Sequence, residues 1–184
     1  LVGSEMCIRD SIYFIANWKM FGSVKLVNSL NNVISYSKKY KQKAKIVYCP
    51  PYTLLKSFID KTKNSNIEIG AQDCHISSDY GPHTGAISSK MIKDLGAKFV
   101  IIGHSETREE NDNKKINSKI KSALNKNLNV IFCIGEKLID KKKNKTRFIL
   151  KKQLLEGLKN LNKLNKVIIA YEPVWSIGTG IIPT

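Results

Sequence analysis

Short apolar, β-branched runs recur along the chain: "IYFIA" (12–16), "KIVYC" (45–49), "IEIGA" (67–71), "KFVII" (98–102), "NVIFCI" (129–134) and "KVIIAY" (166–171). They show little alternation of apolar with polar residues, which is the pattern of strands buried on both faces of a parallel sheet. The segments between them carry helical stripes. Val24, Val27, Leu30 and Ile34 share one face, as do Leu54, Leu55, Phe58 and Ile59. The same holds for Ile116, Ile120 and Leu124, and for Leu150, Leu154, Leu158 and Leu161. A strand–helix unit repeated this way predicts an α/β fold with a parallel sheet and helical crossovers. No low-complexity linker interrupts the series, and 184 residues suit one domain.

Two architectures meet that pattern, a doubly wound open sheet and a (β/α)8 barrel. A dinucleotide-binding open sheet should show G-x-G-x-x-G after its first strand, and here that strand runs into "ANWKMFG". The barrel is therefore the expectation, represented by strands 1–6 with their helices and lacking its last two βα units. It places chemistry just beyond the C-terminal ends of the strands. Asn17 and Lys19 follow the first run, and His104 and Glu106 follow the fourth, in "GHSE". Gly135 and Glu136 follow the fifth, and Glu172 ends the sixth. Singly, each has a plain reading: Lys19 as a surface charge, His104 as a hydrogen-bonded structural histidine, Glu172 as a solvated acid in a turn. Together they offer a base, an imidazole, an ammonium and an amide at one rim. That set suits abstraction of a proton next to a carbonyl whose oxygen is polarised by neutral donors.

The motifs "ANWKM" (16–20), "CPPYTLL" (49–55), "AQDC" (71–74), "HTGAIS" (83–88), "VIIGHSE" (100–106), "FCIGE" (132–136) and "AYEPVWSIGTG" (170–180) run in one order along residues 12–184. This set resembles the triosephosphate isomerase family. The resemblance implies that Glu172 is the general base moving a proton between adjacent carbons of dihydroxyacetone phosphate and glyceraldehyde 3-phosphate. It implies that His104, as neutral imidazole, polarises the carbonyl and shuttles protons between the two oxygens. Lys19 would stabilise the enediolate and the phosphate dianion, Asn17 would help hold Lys19 and the substrate, and Glu106 would support His104. Pro173, Val174 and Trp175 match the family's lid hinge, and Ser176, Ile177, Gly178, Thr179 and Gly180 its tip. The Gly178 N–H would reach the phosphate, where glycine lets the backbone approach. Thr84, in "GPHTGAIS", matches a loop that inserts into a partner subunit, so a homodimer follows. The family implies a role in glycolysis and gluconeogenesis, with no metal and no organic cofactor.

Four departures qualify this. Residues 1–11, "LVGSEMCIRDS", match nothing in the family and read as an extension ahead of a 12–184 barrel domain. The sequence stops at Thr184, short of the family's remaining phosphate-binding loops, so the chain as given is expected to be inactive. Ile181, Ile182 and Pro183 replace a lysine and small polar residues after the lid. Ala86 and Thr107 stand where the family usually has a Glu–Arg pair across the dimer interface, so both partners of that pair are absent together.

Lys+Arg number 31 against 15 Asp+Glu, a surplus that raises the alternative of a polyanion-binding protein. Only Arg9, Arg108 and Arg147 are arginines, and the dense lysine runs (38–45, 114–126, 137–152) contain almost no aromatics. Base readers bring arginine forks and stacking rings, so solvated lysine faces are expected and no specific nucleic-acid partner. A non-catalytic barrel fragment serving as an assembly piece is the other alternative. No run reaches the roughly 20 apolar residues of a membrane span, and residues 1–11 lack a signal peptide's features. Cys7, Cys49, Cys74 and Cys133 show no ligand spacing. They read as reduced, mostly buried thiols of a cytoplasmic protein.

Overall fold

The computed structural model describes residues 12–39 and 44–177. The 1–11 segment, the lid-tip residues Gly178, Thr179 and Gly180, and the positions after them lie outside the described residues. Among the described residues six strands form, β1 (Ile12–Asn17), β2 (Ala44–Cys49), β3 (Ile67–Ala71), β4 (Phe99–Ile102), β5 (Asn129–Ile134) and β6 (Val167–Tyr171). They pair in strictly sequential order, β1-β2-β3-β4-β5-β6. Every pairing is parallel, with registers such as Asn17↔Cys49 and Cys133↔Ala170. Helices α1 (Leu30–Lys39), α2 (Tyr52–Thr62), α3 (Ser89–Asp94), α4 (Asn113–Asn125), α5 (Leu138–Lys142) and α6 (Thr146–Gly157) fall between them. Right-handed crossovers of this kind put every helix on one side, and the twisted sheet curls away from them into a partial (β/α) barrel.

The core has two compartments. On the concave side Val47, Cys49, Phe99, Ile101, Ile131 and Cys133 pack together, with Tyr13, Ile15, Ile168 and Ala170 at the margin. On the convex side Ile69, Ala71, Val100, Ile102, Val130, Phe132 and Ile134 meet Leu55 and Phe58 of α2 and Ile116 and Ile120 of α4. Successive residues of β4 and β5 thus point into one dry compartment or the other, which is why those runs carry no polar alternation. The three described cysteines, Cys49, Cys74 and Cys133, are free and buried.

Several expectations need correction. The outermost strands are not buried on both faces: Ile12 and Phe14 of β1 and Ile169 and Tyr171 of β6 are exposed, because each strand has one neighbour in the sheet. The stripe from Val24 to Ile34 is not one helix. A 3-10 segment, Val24–Ser29, precedes α1, and Val24 is exposed while Val27 and Leu30 are buried. Leu158 and Leu161 lie beyond α6, whose end at Gly157 is followed by Asn160 and Lys163 in left-handed conformation. Lysine faces are not uniformly solvated, since Lys119 of α4 is buried and paired with Asp73. Two helices escaped the periodicity argument, α3 and α5, both too short to show a stripe. Among the described residues no helix is long and apolar enough to cross a membrane.

Candidate active site

The C-terminal ends of β1, β4, β5 and β6 open on the same rim. At β1 the chain leaves the sheet through Asn17, whose Oδ1 accepts from the Lys19 backbone N–H at 2.9 Å. This closes a tight turn that places Lys19 at φ 51°, a conformation most side chains avoid. Gln72 holds the turn from below, donating through Nε2 to the carbonyls of Lys19 (2.8 Å) and Cys49 (2.9 Å). The Lys19 ammonium reaches across the rim and donates to Glu106 Oε1 at 2.8 Å, and that contact outweighs the upward push of burial and holds the Glu106 carboxyl below its usual range.

At β4, Gly103 (φ 76°) turns the chain so that His104 caps a 3-10 turn, Ser105–Thr107. The Glu106 N–H donates to His104 Nδ1 at 3.2 Å. A neutral ring that accepts at Nδ1 carries its proton on Nε2. The Glu106 carboxylate stands farther from Nδ1, at 3.5 Å, and is engaged by Lys19. Ser105–Thr107 is one short turn, with α4 beginning only at Asn113.

At β6, Glu172 continues the strand by donating its N–H to the Ile134 carbonyl at 2.8 Å. Its carbonyl then passes directly over Gly135, where a Cβ would lie 1.9 Å from the Glu172 oxygen. Only glycine permits that crossing. The side chain turns inward, and its two oxygens differ. Oε1 accepts from the buried Cys133 thiol at 3.2 Å. Oε2 is buried with no hydrogen-bond partner among the described residues and lies 3.6 Å from His104 Nε2. Burial first, then the Glu172 charge, drive the Cys133 pKa upward, so the thiol stays protonated and remains a donor.

The residues after Glu172 are gripped by Glu136, which is 1% exposed. Its carboxylate accepts from Trp175 Nε1 (2.9 Å), the Tyr171 hydroxyl (3.1 Å) and the Thr146 hydroxyl (3.2 Å). Its carbonyl takes the Val174 N–H at 3.2 Å. Burial pushes the Glu136 pKa upward, but these hydrogen bonds outweigh it and the net shift is downward. The structure thus brings Asn17, Lys19, Glu106, His104, Glu136 and Glu172 to one end of the sheet. Pro173, Val174, Trp175, Ser176 and Ile177 follow directly, with Val174–Ser176 as a 3-10 turn.

Sequence reasoning singled out neither Cys133 nor Gln72. Cys133 sits inside an apolar run, and only the strand register shows that it faces Glu172. Thr84 is elsewhere, exposed in the loop between β3 and α3. That loop is closed by His75 N–H to Ile87 O (2.8 Å) and by stacking of His75 on His83, ring centroids 4.4 Å apart. Thr107 bonds its own turn, donating to the His104 carbonyl at 3.0 Å. Among the described residues no group of three or more His, Cys, Asp or Glu could hold a metal ion.

Comparison with known proteins agrees with this arrangement. The triosephosphate isomerase family profile matches residues 12–184. A triosephosphate isomerase of Dictyoglomus thermophilum is 46% identical over 170 residues, covering 90% of this chain and 68% of that protein. One from Clostridium botulinum is 41% identical over 172 residues, covering 89% and 67%. The crystal structure of triosephosphate isomerase from Bartonella henselae superposes with a TM-score of 0.82 at 36% identity, over 89% of this chain and 68% of that one. The chain spans about two thirds of the length of these relatives and carries six sequential parallel strands of the barrel with the polar groups of its rim. It belongs to the triosephosphate isomerase family and is an isomerase.

Proposed function

We propose that this site interconverts dihydroxyacetone phosphate and D-glyceraldehyde 3-phosphate through an enediolate, in glycolysis and gluconeogenesis, and that the protein works in the cytoplasm as a homodimer. The observation that carries the reading is Glu172 Oε2, a buried carboxylate oxygen with no hydrogen-bond partner among the described residues, 3.6 Å from His104 Nε2. A carboxylate beside a ring N–H is suited to accept a proton from a carbon acid that lies against both groups. Glu172 takes the proton from one carbon and returns it to the next. His104 donates through Nε2 to the carbonyl oxygen where negative charge develops, as a neutral donor that need not itself be discharged. Lys19, held by Asn17 and Glu106, supplies positive charge for the enediolate and the phosphate. Residues 173–180 act as a lid, with Pro173 to Trp175 as hinge and the Gly178 N–H on the phosphate, and closure excludes water from the base. The loop carrying Thr84 docks into the second subunit. No metal or organic cofactor takes part.

The test is Glu172→Asp, assayed beside the unmutated protein for isomerisation of glyceraldehyde 3-phosphate. Shortening the side chain withdraws the carboxylate by about one methylene, and a displacement of ~1 Å at a reacting group costs about 10²-fold. The kcat is expected to fall by about that factor or more with KM little changed, the mark of an interaction specific to the transition state. Unchanged turnover would remove Glu172 from the base position.

A further inference from the structure

We propose that Arg108 is a positioning residue that sets the spacing between His104 and Glu172. The proposal rests on the functional reading above. Arg108 directly follows the turn Ser105–Thr107 that His104 caps, and its backbone N–H donates back to the His104 carbonyl at 3.1 Å. Its guanidinium reaches the end of β5, where Nη2 donates to the Cys133 carbonyl at 2.9 Å. Nη1 donates to Asn113 Oδ1, also at 2.9 Å, and the guanidinium lies over the Phe132 ring, 5.9 Å from its centroid. One residue thus holds the His104 turn by its main chain and β5 by its side chain. Cys133 completes the link, since its thiol donates to Glu172 Oε1 at 3.2 Å. The contacts His104–Arg108–Cys133–Glu172 close a ring with the 3.6 Å approach of His104 Nε2 to Glu172 Oε2.

Packing alone does not account for a guanidinium here. Arg108 is half-buried, and its Nε is buried with no hydrogen-bond partner among the described residues. Burial pushes its pKa down, against the opposing pull of Cys133 and the Glu172 charge, and arginine stays charged in proteins regardless. An apolar side chain of similar volume would fill such a place without desolvating a cation. It could not grip a carbonyl and a side-chain amide at once, which the planar fork of arginine does. Gly103, on the other side of His104, leaves room for the contact. A Cβ there would stand 3.1 Å from the Cys133 carbonyl oxygen and 3.3 Å from Arg108 Nη2.

The experiment compares Arg108→Met and Arg108→Lys with the unmutated protein by iodoacetamide labelling and peptide mass mapping. Cys49, Cys74 and Cys133 are all free and buried, so they report on three places at once. In Arg108→Met the Cys133 thiol is expected to react about ten- to a hundredfold faster, the effect of losing a hydrogen bond from a charged donor. Cys49 and Cys74 should keep their rates. Arg108→Lys, which keeps a cation without the fork, should fall between. In isomerisation of glyceraldehyde 3-phosphate, Arg108→Met is expected to lose about tenfold or more in kcat with KM little changed, the mark of misplaced reacting groups. Faster labelling of all three cysteines in Arg108→Met would report a lost fold, and Arg108→Lys then decides by the same readouts. An unchanged Cys133 rate, an unchanged kcat, or a loss expressed only in KM would overturn the proposal. Absence of turnover in the unmutated protein would instead sink the functional reading, while the labelling pattern still reports on the Arg108 contact.

Discussion

At Glu136 a carboxylate with almost no solvent contact is kept ionised by the groups that surround it. Trp175, Tyr171 and Thr146 all donate to it, and their combined pull leaves its pKa below the ordinary glutamate value of 4.5 despite burial. In the unfolded chain the same group titrates near that ordinary value. Between the two values the unfolded state binds a proton that the folded state does not, so Glu136 stabilises the fold above pH ~4.5 and the contribution is lost as pH falls through the lower, folded value. Urea-unfolding midpoints of the complete protein are expected to drop across that acid window. Glu136→Gln should flatten the drop and cost about 1.5–3 kcal/mol at neutral pH, the worth of a hydrogen bond to a charged acceptor. An acid limb identical in the two proteins would show that Glu136 does not govern it. The candidate base differs in kind. Glu172 has one oxygen satisfied by Cys133 and one left open toward His104, an arrangement that stability alone would not select.

The elements were legible where the chain is regular. All six apolar runs became strands; for the inner strands the reason is that a strand packed on both sides needs a nearly continuous apolar sequence. The rim residues Asn17, Lys19, His104, Glu106, Glu136 and Glu172 were legible for a related reason: a polar residue that ends a buried strand stands out. What escaped depends on register or on shortness. Cys133 reads as core until the pairing of β5 with β6 turns it toward Glu172. The helices α3 and α5 each span less than two turns, too little to show a period. The junction of β5 and β6 shows how tightly elements constrain one another, since the Glu172 carbonyl occupies the space a Gly135 side chain would need. Gly135→Ala is expected to push the β6 end outward, at a cost of about 3 kcal/mol or more because backbone rather than a pliant side chain must move. It should displace Glu172 and remove turnover. Wild-type kcat in the alanine variant, measured beside its unfolding free energy, would refute the close approach.

For the whole molecule, the charge surplus and the open sheet edges set what a preparation of residues 1–184 should do. Among the described residues each of β1 and β6 has one strand neighbour, and the side chains of Ile12, Phe14, Ile169 and Tyr171 are exposed beside those edges. Such edges template association. The 184-residue polypeptide is therefore expected to self-associate into large, heterogeneous species, read by sedimentation velocity; a monodisperse monomer or dimer would refute the argument. The strictly sequential strand order has one more consequence, on the ribosome. Each strand pairs with the strand made just before it, joining residues on the order of 20 to 40 positions apart. The sheet can therefore grow one unit at a time as the nascent chain emerges, every new strand finding its template already exposed and waiting, and synthesis itself becomes the clock of assembly.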